Sequence, residues 1–396
     1  MRVLFLHNDY LQAGGERHSV AAEVSALRAH TDVTVSELAV ANESLQHSRL
    51  AAVKAVVSSR EAYEQVSDAI SHFDPDIVHV QNLFPRLGAG ALNALKSARV
   101  PYVRSLRNYR LRCIAGSCFF NGSDCVRCSA AGRGWPGVVR GCYRDSRTAS
   151  AGAVMYALGE SRATAAYPPQ ALILLSNTMR GILRDFIGNT PTFVKPNPVD
   201  RPPFDVPLGR AQRNVDVLFL GRLSAEKRVD LVAALARQMR DNSFRIVGDG
   251  PLREMVREAS SRLPNLSYVP GVNHSEALRQ LSRARVVIVP SSWEEPFGRV
   301  AAEALAVGTP AVVADRGGLP DIVRGVDQSL IVQGDTEEAW RGHVKAVLRA
   351  DDSAYGGMVH ASLRQWKEAY SPFENAKALQ RIYEAALSFS KLRADD

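Results

Sequence analysis

Outside one short window the chain has no cysteine: all five fall between Cys113 and Cys142. It has no apolar run approaching the roughly 18 residues of a membrane span, which excludes a hydrophobic transmembrane helix. The start, Met1-Arg-Val-Leu-Phe-Leu, has neither the long apolar region nor the small-residue cleavage site of a signal peptide. It reads instead as a first strand, and the expected location is cytoplasmic. Internal repeats and low-complexity tracts are absent, which excludes repeat arrays and biased linkers. Acid is scarce in one segment. Between Arg99 and Arg147 stand ten arginines against Asp124 and Asp145, a surplus equal to the formal +8 of the whole chain. Such a patch favours anionic partners: phosphorylated acceptors, anionic lipid head groups or nucleic acid. The segment lacks regularly placed aromatics for base stacking, which counts against nucleic acid.

What is present is an alternation of strand and helix patterns across 396 residues, a length suited to two domains with parallel sheets covered by helices. In the first half the pattern predicts strands at 2–6, 32–38, 77–80, 102–105, 171–175 and 192–195. Helices are expected at 15–30, 50–73, 88–97, 147–166 and 177–186. The proline-rich stretch Pro196-Asn-Pro-Val-Asp-Arg-Pro-Pro203 breaks the alternation and reads as a linker. The second half restarts at Asp216-Val-Leu-Phe-Leu220, with further strands at 244–247, 266–269, 286–289, 310–313 and 330–332. A last helix over about 373–392 follows the break at Ser371-Pro372.

The most informative stretch is Ser292-Trp-Glu-Glu-Pro-Phe-Gly-Arg-Val-Ala-Ala-Glu-Ala-Leu-Ala-Val-Gly-Thr-Pro310, which follows the apolar strand Val286-Val-Ile-Val-Pro290. Glu295 precedes a proline and is expected to be extended. A proline just inside a helix start, with Gly308 and Pro310 as stop signals, predicts a helix over 297–307. Ligands of open α/β sheets bind at the carboxyl ends of strands, which is where Glu295 falls. Glu303 lies roughly 12 Å further at about 1.5 Å per helical residue. That is too far for paired acid–base work on one bond, and suited to gripping two hydroxylated parts of one long ligand. Free amides at the helix start would face a phosphate between them.

This segment resembles the Glu-x7-Glu signature of retaining glycosyltransferases, above all family 4. The resemblance implies a GT-B fold: an α/β chain of two Rossmann-like parallel-sheet domains facing each other across a cleft. It divides the chain into an acceptor-binding domain at 1–200 with a Cys/Arg-rich insertion at 106–146, a nucleotide-sugar-binding domain at 201–371, and a helix at 372–396 crossing back to the first domain. In that family the first glutamate, here Glu295, binds the hexose hydroxyls of the donor, and the second, here Glu303, binds the ribose. Phe297 and Gly298 belong to the same donor-side motif. Gly221-Arg222-Leu-Ser-Ala-Glu-Lys227-Arg228 is similar to the family's Gly-Arg-Leu-x-x-x-Lys-Gly, whose Arg and Lys hold the donor diphosphate. Arg228 replaces the usual glycine. Gly250, in Gly248-Asp-Gly-Pro251, allows close backbone approach, and Gly271-Val272 falls where the family packs the nucleobase.

On the first half, His7-Asn-Asp-Tyr-Leu-Gln-Ala-Gly14-Gly15-Glu16 looks like the family's glycine-rich first loop. In that family the loop approaches the donor phosphates and the acceptor; here Glu16-Arg17 departs from a common Glu-Asp. His79 stands at a strand end, where relatives often have His-x-His; Gln81 occupies the second position here. A core histidine is the alternative reading. Arg107-Asn108-Tyr109 resembles a His-Asn-Tyr element, and the arginine removes a titratable base. The candidate acceptor residues are therefore His7, Glu16, His79, Arg107 and Asn108.

Cysteine clustering in a cytoplasmic chain favours metal over disulfides. Cys113, Cys125, Cys128 and Cys142 resemble a set seen in a subset of these transferases, with Cys118 outside it. Four thiolates would close a structural Zn2+ site without catalytic water; free thiols or disulfides are the alternative. The resemblance implies transfer of a hexose, with retention, from a nucleoside diphosphate sugar to a hydroxyl of a glycan, lipid-linked or other small-molecule acceptor. No metal is expected in catalysis. Peripheral contact with the inner membrane face fits the basic segment. Two rival readings are a nucleotide-sugar epimerase on the same fold and a basic, zinc-stapled nucleic-acid-binding protein. The joint presence of Arg222, Lys227, Glu295 and Glu303 argues against the second.

Overall fold

The computed structural model describes residues 1–9, 15–41, 59–130 and 134–395. The chain divides into two compact units: Met1–Phe120 with Cys125–Pro198 and Asn375–Asp396, and Val199–Glu374 with Asn121–Asp124.

The first unit is built on β1 (Arg2–Asp9), β2 (Thr34–Ala41), β3 (Ile77–Val80), β4 (Tyr102–Leu106), β7 (Ala171–Leu174) and β8 (Thr192–Val194). These form one six-stranded sheet in the order β2-β1-β3-β4-β7-β8, parallel throughout. Successive side chains of a strand point to opposite faces, and β1 shows why its sequence is continuously apolar. Val3 and Phe5 enter the core formed with helices Gly15–His30 and Pro372–Asp395. Leu4 and Leu6 enter the opposite core, under helices Ser59–Phe73 and Gly88–Ala98. Both faces are thus covered, as parallel sheets require. The last helix contributes Ala376, Leu379, Ile382, Tyr383 and Ala386 to the first of these cores. Its start is fixed by Pro372 and by the Ser371 hydroxyl, which accepts from the Glu374 amide at 3.4 Å.

The expected boundaries differ from the observed ones by a few residues. Helices Gly15–His30 and Arg147–Ala166 and strand β3 coincide with them. The helix expected at 50–73 is described from Ser59 onward. The arginine-rich insertion, where the sequence pattern gives no strand, contains a short hairpin of β5 (Phe119–Phe120) and β6 (Ser123–Asp124), followed by helices Arg127–Ala130 and Trp135–Arg140. Its two-residue strands fall below the length at which alternation can be read from sequence.

The second unit carries β9 (Val215–Leu220), β10 (Phe244–Val247), β11 (Leu266–Val269), β12 (Ala284–Val289), β13 (Ala311–Ala314) and β14 (Ile331–Val332). The order is β11-β10-β9-β12-β13-β14, again parallel. In chain order this is 3-2-1-4-5-6, the doubly wound arrangement that leaves a crevice between its first and fourth strands. Here those strands are β9 and β12. No described helix is long and apolar enough to cross a membrane.

Candidate active site

The crevice between β9 and β12 sets the position of the principal site. After β9 the chain turns through Gly221 and Arg222 into the short 3-10 helix Ala225–Lys227. After β12 it runs through Ser291 to Glu295 before helix Arg299–Ala306. The Ser292 amide donates to the Glu226 carbonyl at 2.9 Å, joining the two loops. Across that join Lys227 Nζ pairs with Glu295 Oε1, which also accepts from the Ser291 hydroxyl at 2.7 Å. The Lys227 ammonium lies 5.4 Å from the Trp293 ring centroid, within cation–π range.

Glu295 is buried, whereas the Lys227 side chain keeps 25% of its surface exposed. Burial alone would raise the Glu295 pKa. The Lys227 charge and the hydrogen bonds from Lys227 and Ser291 outweigh that, and hold the carboxyl below its ordinary value. Arg222 is exposed, and its guanidinium has no hydrogen-bond or ion-pair partner among the described residues.

The glycines explain how these loops come so close. Gly248, at φ +153°, would place a Cβ 1.8 Å from the Gly221 carbonyl oxygen, and Gly250, at φ +155°, would place one 2.5 Å from the Leu223 oxygen. Only glycine fits either position. Leu223 in turn donates its amide to Asp249 O at 2.9 Å.

Glu303 forms a second cluster on helix Arg299–Ala306. One of its oxygens lies 3.0 Å from His274 Nε2 and accepts from Arg299 Nε at 2.7 Å. Its side chain is 5% exposed. Burial again acts upward, and the His274 hydrogen bond and the Arg299 charge bring the carboxyl below its usual range. His274 opens helix His274–Ser282, which begins where Asn273 accepts from the Glu276 amide at 2.9 Å. Gly271 is exposed and Val272 half-buried on the loop just before it.

The helix carrying Glu303 starts at Arg299, not at Phe297 as expected, so Pro296 is outside it. Gly298 is the cause. Its φ of +103° is not helical, and a Cβ there would meet Leu319 Cδ2 at 2.4 Å. Phe297 is buried, with its ring centroid 5.9 Å from that of Tyr370. Sequence reasoning missed three contributors: His274, Ser291 and Glu294. Glu294 accepts from the Gly317 amide at 2.6 Å and from Arg316 at 3.3 Å, tying down the loop after β13. The polar residue after a capping asparagine was the one available signal for His274.

In the first unit the expected acceptor residues fall into a different kind of cluster. His79 is fully buried. Its Nδ1 lies 2.7 Å from the Tyr383 hydroxyl and its Nε2 2.8 Å from the Ser105 hydroxyl. Burial holds its pKa down at about 3, against the opposing pull of Glu23, so the ring is neutral. The structure thus places His79 in the core. Arg107 is also buried. It donates to Glu23 at 2.7 Å, to Gln81 at 2.9 Å, and to Asn197. Lys195 donates to the other Glu23 oxygen at 2.6 Å and to Asn375 at 3.0 Å. Burial would raise Glu23; the charges of Arg107 and Lys195 overcome it and bring the carboxyl down to about 2. His7 is buried, and Asn108 is half-buried, accepting from the Arg110 amide at 3.0 Å. Gly14 lies outside the described residues, and Gly15 and Glu16 open the helix Gly15–His30, their side-chain environment outside the description.

The five cysteines are free thiols. Cys113 shares a side-chain hydrogen bond with Cys118, the cysteine outside the expected set. That bond, working against burial, brings Cys113 down to about 5 and pushes Cys118 up. Among the described residues no group of three or more His, Cys, Asp or Glu is arranged to hold a metal ion. As placed, the thiols do not fit a four-ligand zinc site.

With this geometry in hand, comparison with known proteins is informative. Residues 200–355 match the family described as glycosyl transferases group 1. The D-inositol 3-phosphate glycosyltransferase of Mycobacterium marinum is 27% identical over 200 residues, covering 48% of this chain and 42% of its own length. The chain therefore spans less than half the length of that relative. Among solved structures, sucrose-phosphate synthase from Thermosynechococcus elongatus superposes with a TM-score of 0.67 at 16% identity, covering 100% of both chains. HepE from Anabaena, in complex with UDP-glucose, gives a TM-score of 0.63 at 14% identity over 97% of this chain and 100% of its own. Residues 200–355 thus carry the glycosyl transferases group 1 sequence, set within a whole-chain α/β fold of two parallel-sheet units that matches GT-B glycosyltransferase structures.

Proposed function

We propose that the chain is a retaining glycosyltransferase of the family 4 type, moving a hexose from a nucleoside diphosphate sugar to a hydroxyl acceptor. The observation that carries this reading is the Lys227–Glu295 pair at the β9/β12 crevice, with the exposed Arg222, which has no partner among the described residues, on the same loop as Lys227. Glu295, held ionised, accepts hydrogen bonds from sugar hydroxyls. Glu303, ionised and oriented by His274 and Arg299, accepts from the ribose hydroxyls. Arg222 and Lys227 take the diphosphate, whose charge grows as the glycosidic bond breaks; stabilising that growing charge is the main catalytic term. HepE, solved with UDP-glucose, supports a uridine nucleotide as the first donor to try.

On the acceptor side, Trp135 and Val139 share one face of the helix Trp135–Arg140 and are 65% and 51% exposed. Arg147, also exposed, donates to the Val139 carbonyl at 3.0 Å. An exposed aromatic side chain on a helix that an arginine contacts suits an anionic bilayer surface.

Calorimetry with UDP-glucose, followed by detection of released UDP with and without acceptor extracts, tests the function. The expected result is saturable binding and acceptor-dependent UDP release. Sugar isomerisation without release would point to an epimerase.

A further inference from the structure

The first unit contains a groove of about 390 Å³ that the donor chemistry does not use. Its floor is formed by β4 and β7 and its walls by helices Arg147–Ala166 and Asn177–Ile187. One face of the longer helix lines it, through Ala153, Tyr156, Ala157, Glu160, Ser161 and Thr164. At about 1.5 Å per residue that face runs for roughly 17 Å. The lining also extends from Pro169, just before β7, to Asn108, just beyond β4, so the groove is elongated along the strands. It reaches the carboxyl ends of β3 and β4 at Gln81 and Arg107, the edge where open α/β sheets present ligands.

Its polar groups are unevenly matched. Three arginines and one carboxylate line the groove. Arg104 pairs with Glu160 and Arg107 with Glu23. Arg110 has no carboxylate partner among the described residues; its guanidinium lies 4.3 Å from the Phe84 ring centroid and donates to the Ile114 carbonyl at 3.2 Å. Four buried atoms of its lining have no hydrogen-bond partner among the described residues: Arg104 Nε, Arg110 Nε, Tyr156 Oη and Thr164 Oγ1. The two guanidinium atoms can only donate, and the two hydroxyls can also donate. A ligand that satisfies them must bring acceptor oxygens, and the uncompensated Arg110 charge asks that they be anionic. The remaining walls, among them Leu83, Leu106, Ile114, Leu172 and Phe186, are apolar.

We propose that this groove anchors the acceptor, and that the acceptor is an amphipathic oxyanion, a phosphate- or carboxylate-bearing group on an apolar body. The acceptor role rests on the transferase reading, whereas binding in the groove requires no donor.

The test is calorimetry on the full chain with three probes: octyl phosphate, inorganic phosphate and 1-octanol. Octyl phosphate should bind at least about tenfold more tightly than either of the others, the lower end expected for a hydrogen bond to a charged group. Arg110→Gln should abolish that advantage while leaving octanol binding in place. Ala157→Trp, at an exposed helix position on the groove wall, should block both amphiphiles. UDP affinity should be unchanged in both variants, which reports intact folding. Equal affinity for octyl and inorganic phosphate would make this a simple anion site and overturn the proposal. Octyl phosphate binding that survives Ala157→Trp would overturn it as well. Normal groove binding with no nucleotide-sugar binding would remove the transferase reading alone.

Discussion

Both units pair a carboxylate with basic side-chain chemistry at the carboxyl ends of a parallel sheet, yet the two clusters differ in what they leave open. In the first, Glu23 is shared by Arg107 and Lys195, whose side chains are 5% and 2% exposed. Each cation spends further donors on Gln81, Asn197, Pro196 or Asn375. In the second, Lys227 is the one cation paired with Glu295 among the described residues, Lys227 stays a quarter exposed, and Arg222 has no partner among them. A cluster that satisfies itself can only hold the fold together. One that leaves cationic donors facing water has something to offer a ligand. Burial and pairing, more than residue type, distinguish a strut from a site.

The largest effect should come from breaking the closed cluster. Glu23→Ala would leave Arg107 and Lys195 buried without their anion, a loss of about 3–5 kcal/mol of stability, seen as a lower thermal midpoint. The same carboxylate gives the unit an acid limit. Its folded pKa of about 2 lies below the ordinary 4.5, so its contribution is complete above the ordinary value and fades as pH falls towards 2. Acid titration of stability should show that slope in the native chain and less of it in Glu23→Gln. An unchanged slope would mean that other carboxylates set the acid limit.

Next in size is the open cluster. Lys227→Ala should lower kcat by about 10²–10³, the cost of losing one donor to a developing anion, with a smaller change in donor Kd. Equal loss of binding with kcat intact would assign Lys227 to ground-state binding. Glu303→Ala should weaken UDP binding by about 1.5–3 kcal/mol, with His274→Ala causing a smaller loss because it acts through Glu303. Unchanged UDP affinity in Glu303→Ala would remove the ribose contact.

The smallest effect concerns the insertion. With free thiols as placed, a disulfide reagent should modify the half-buried Cys125, Cys128 and Cys142 before the buried Cys113 and Cys118. Thiols silent until a chelator is added would instead mean that a metal gathers them.

The open cluster was largely legible in the sequence because its members lie on local motifs. Arg222 and Lys227 follow one strand, Glu295 and Glu303 another, and each apolar run announces the turn that presents them. The closed cluster was not. Glu23 and Lys195 are separated by 172 positions, and His79 and Tyr383 by 304; no local period links them. His79 in particular sits at a strand end that could have faced solvent, and only the packing of the last helix decided otherwise. The late start of the Glu303 helix was hidden for a related reason, since the Gly298–Leu319 approach that fixes it joins residues 21 apart.

The paired glycines after β10 bear on how Arg222 works. Gly248 lies against Gly221 and Gly250 against Leu223, so the residues on either side of Arg222 are wedged by backbone from a neighbouring loop. Its Cα is therefore fixed before any ligand arrives, and only its side-chain torsions remain to be ordered on binding. A methyl group added at Gly248 or Gly250 would press on that loop and move the root of the arginine without touching its charge. Under the donor role proposed for Arg222, donor affinity would then be tuned from the far side of the backbone, at two positions that carry no side chain.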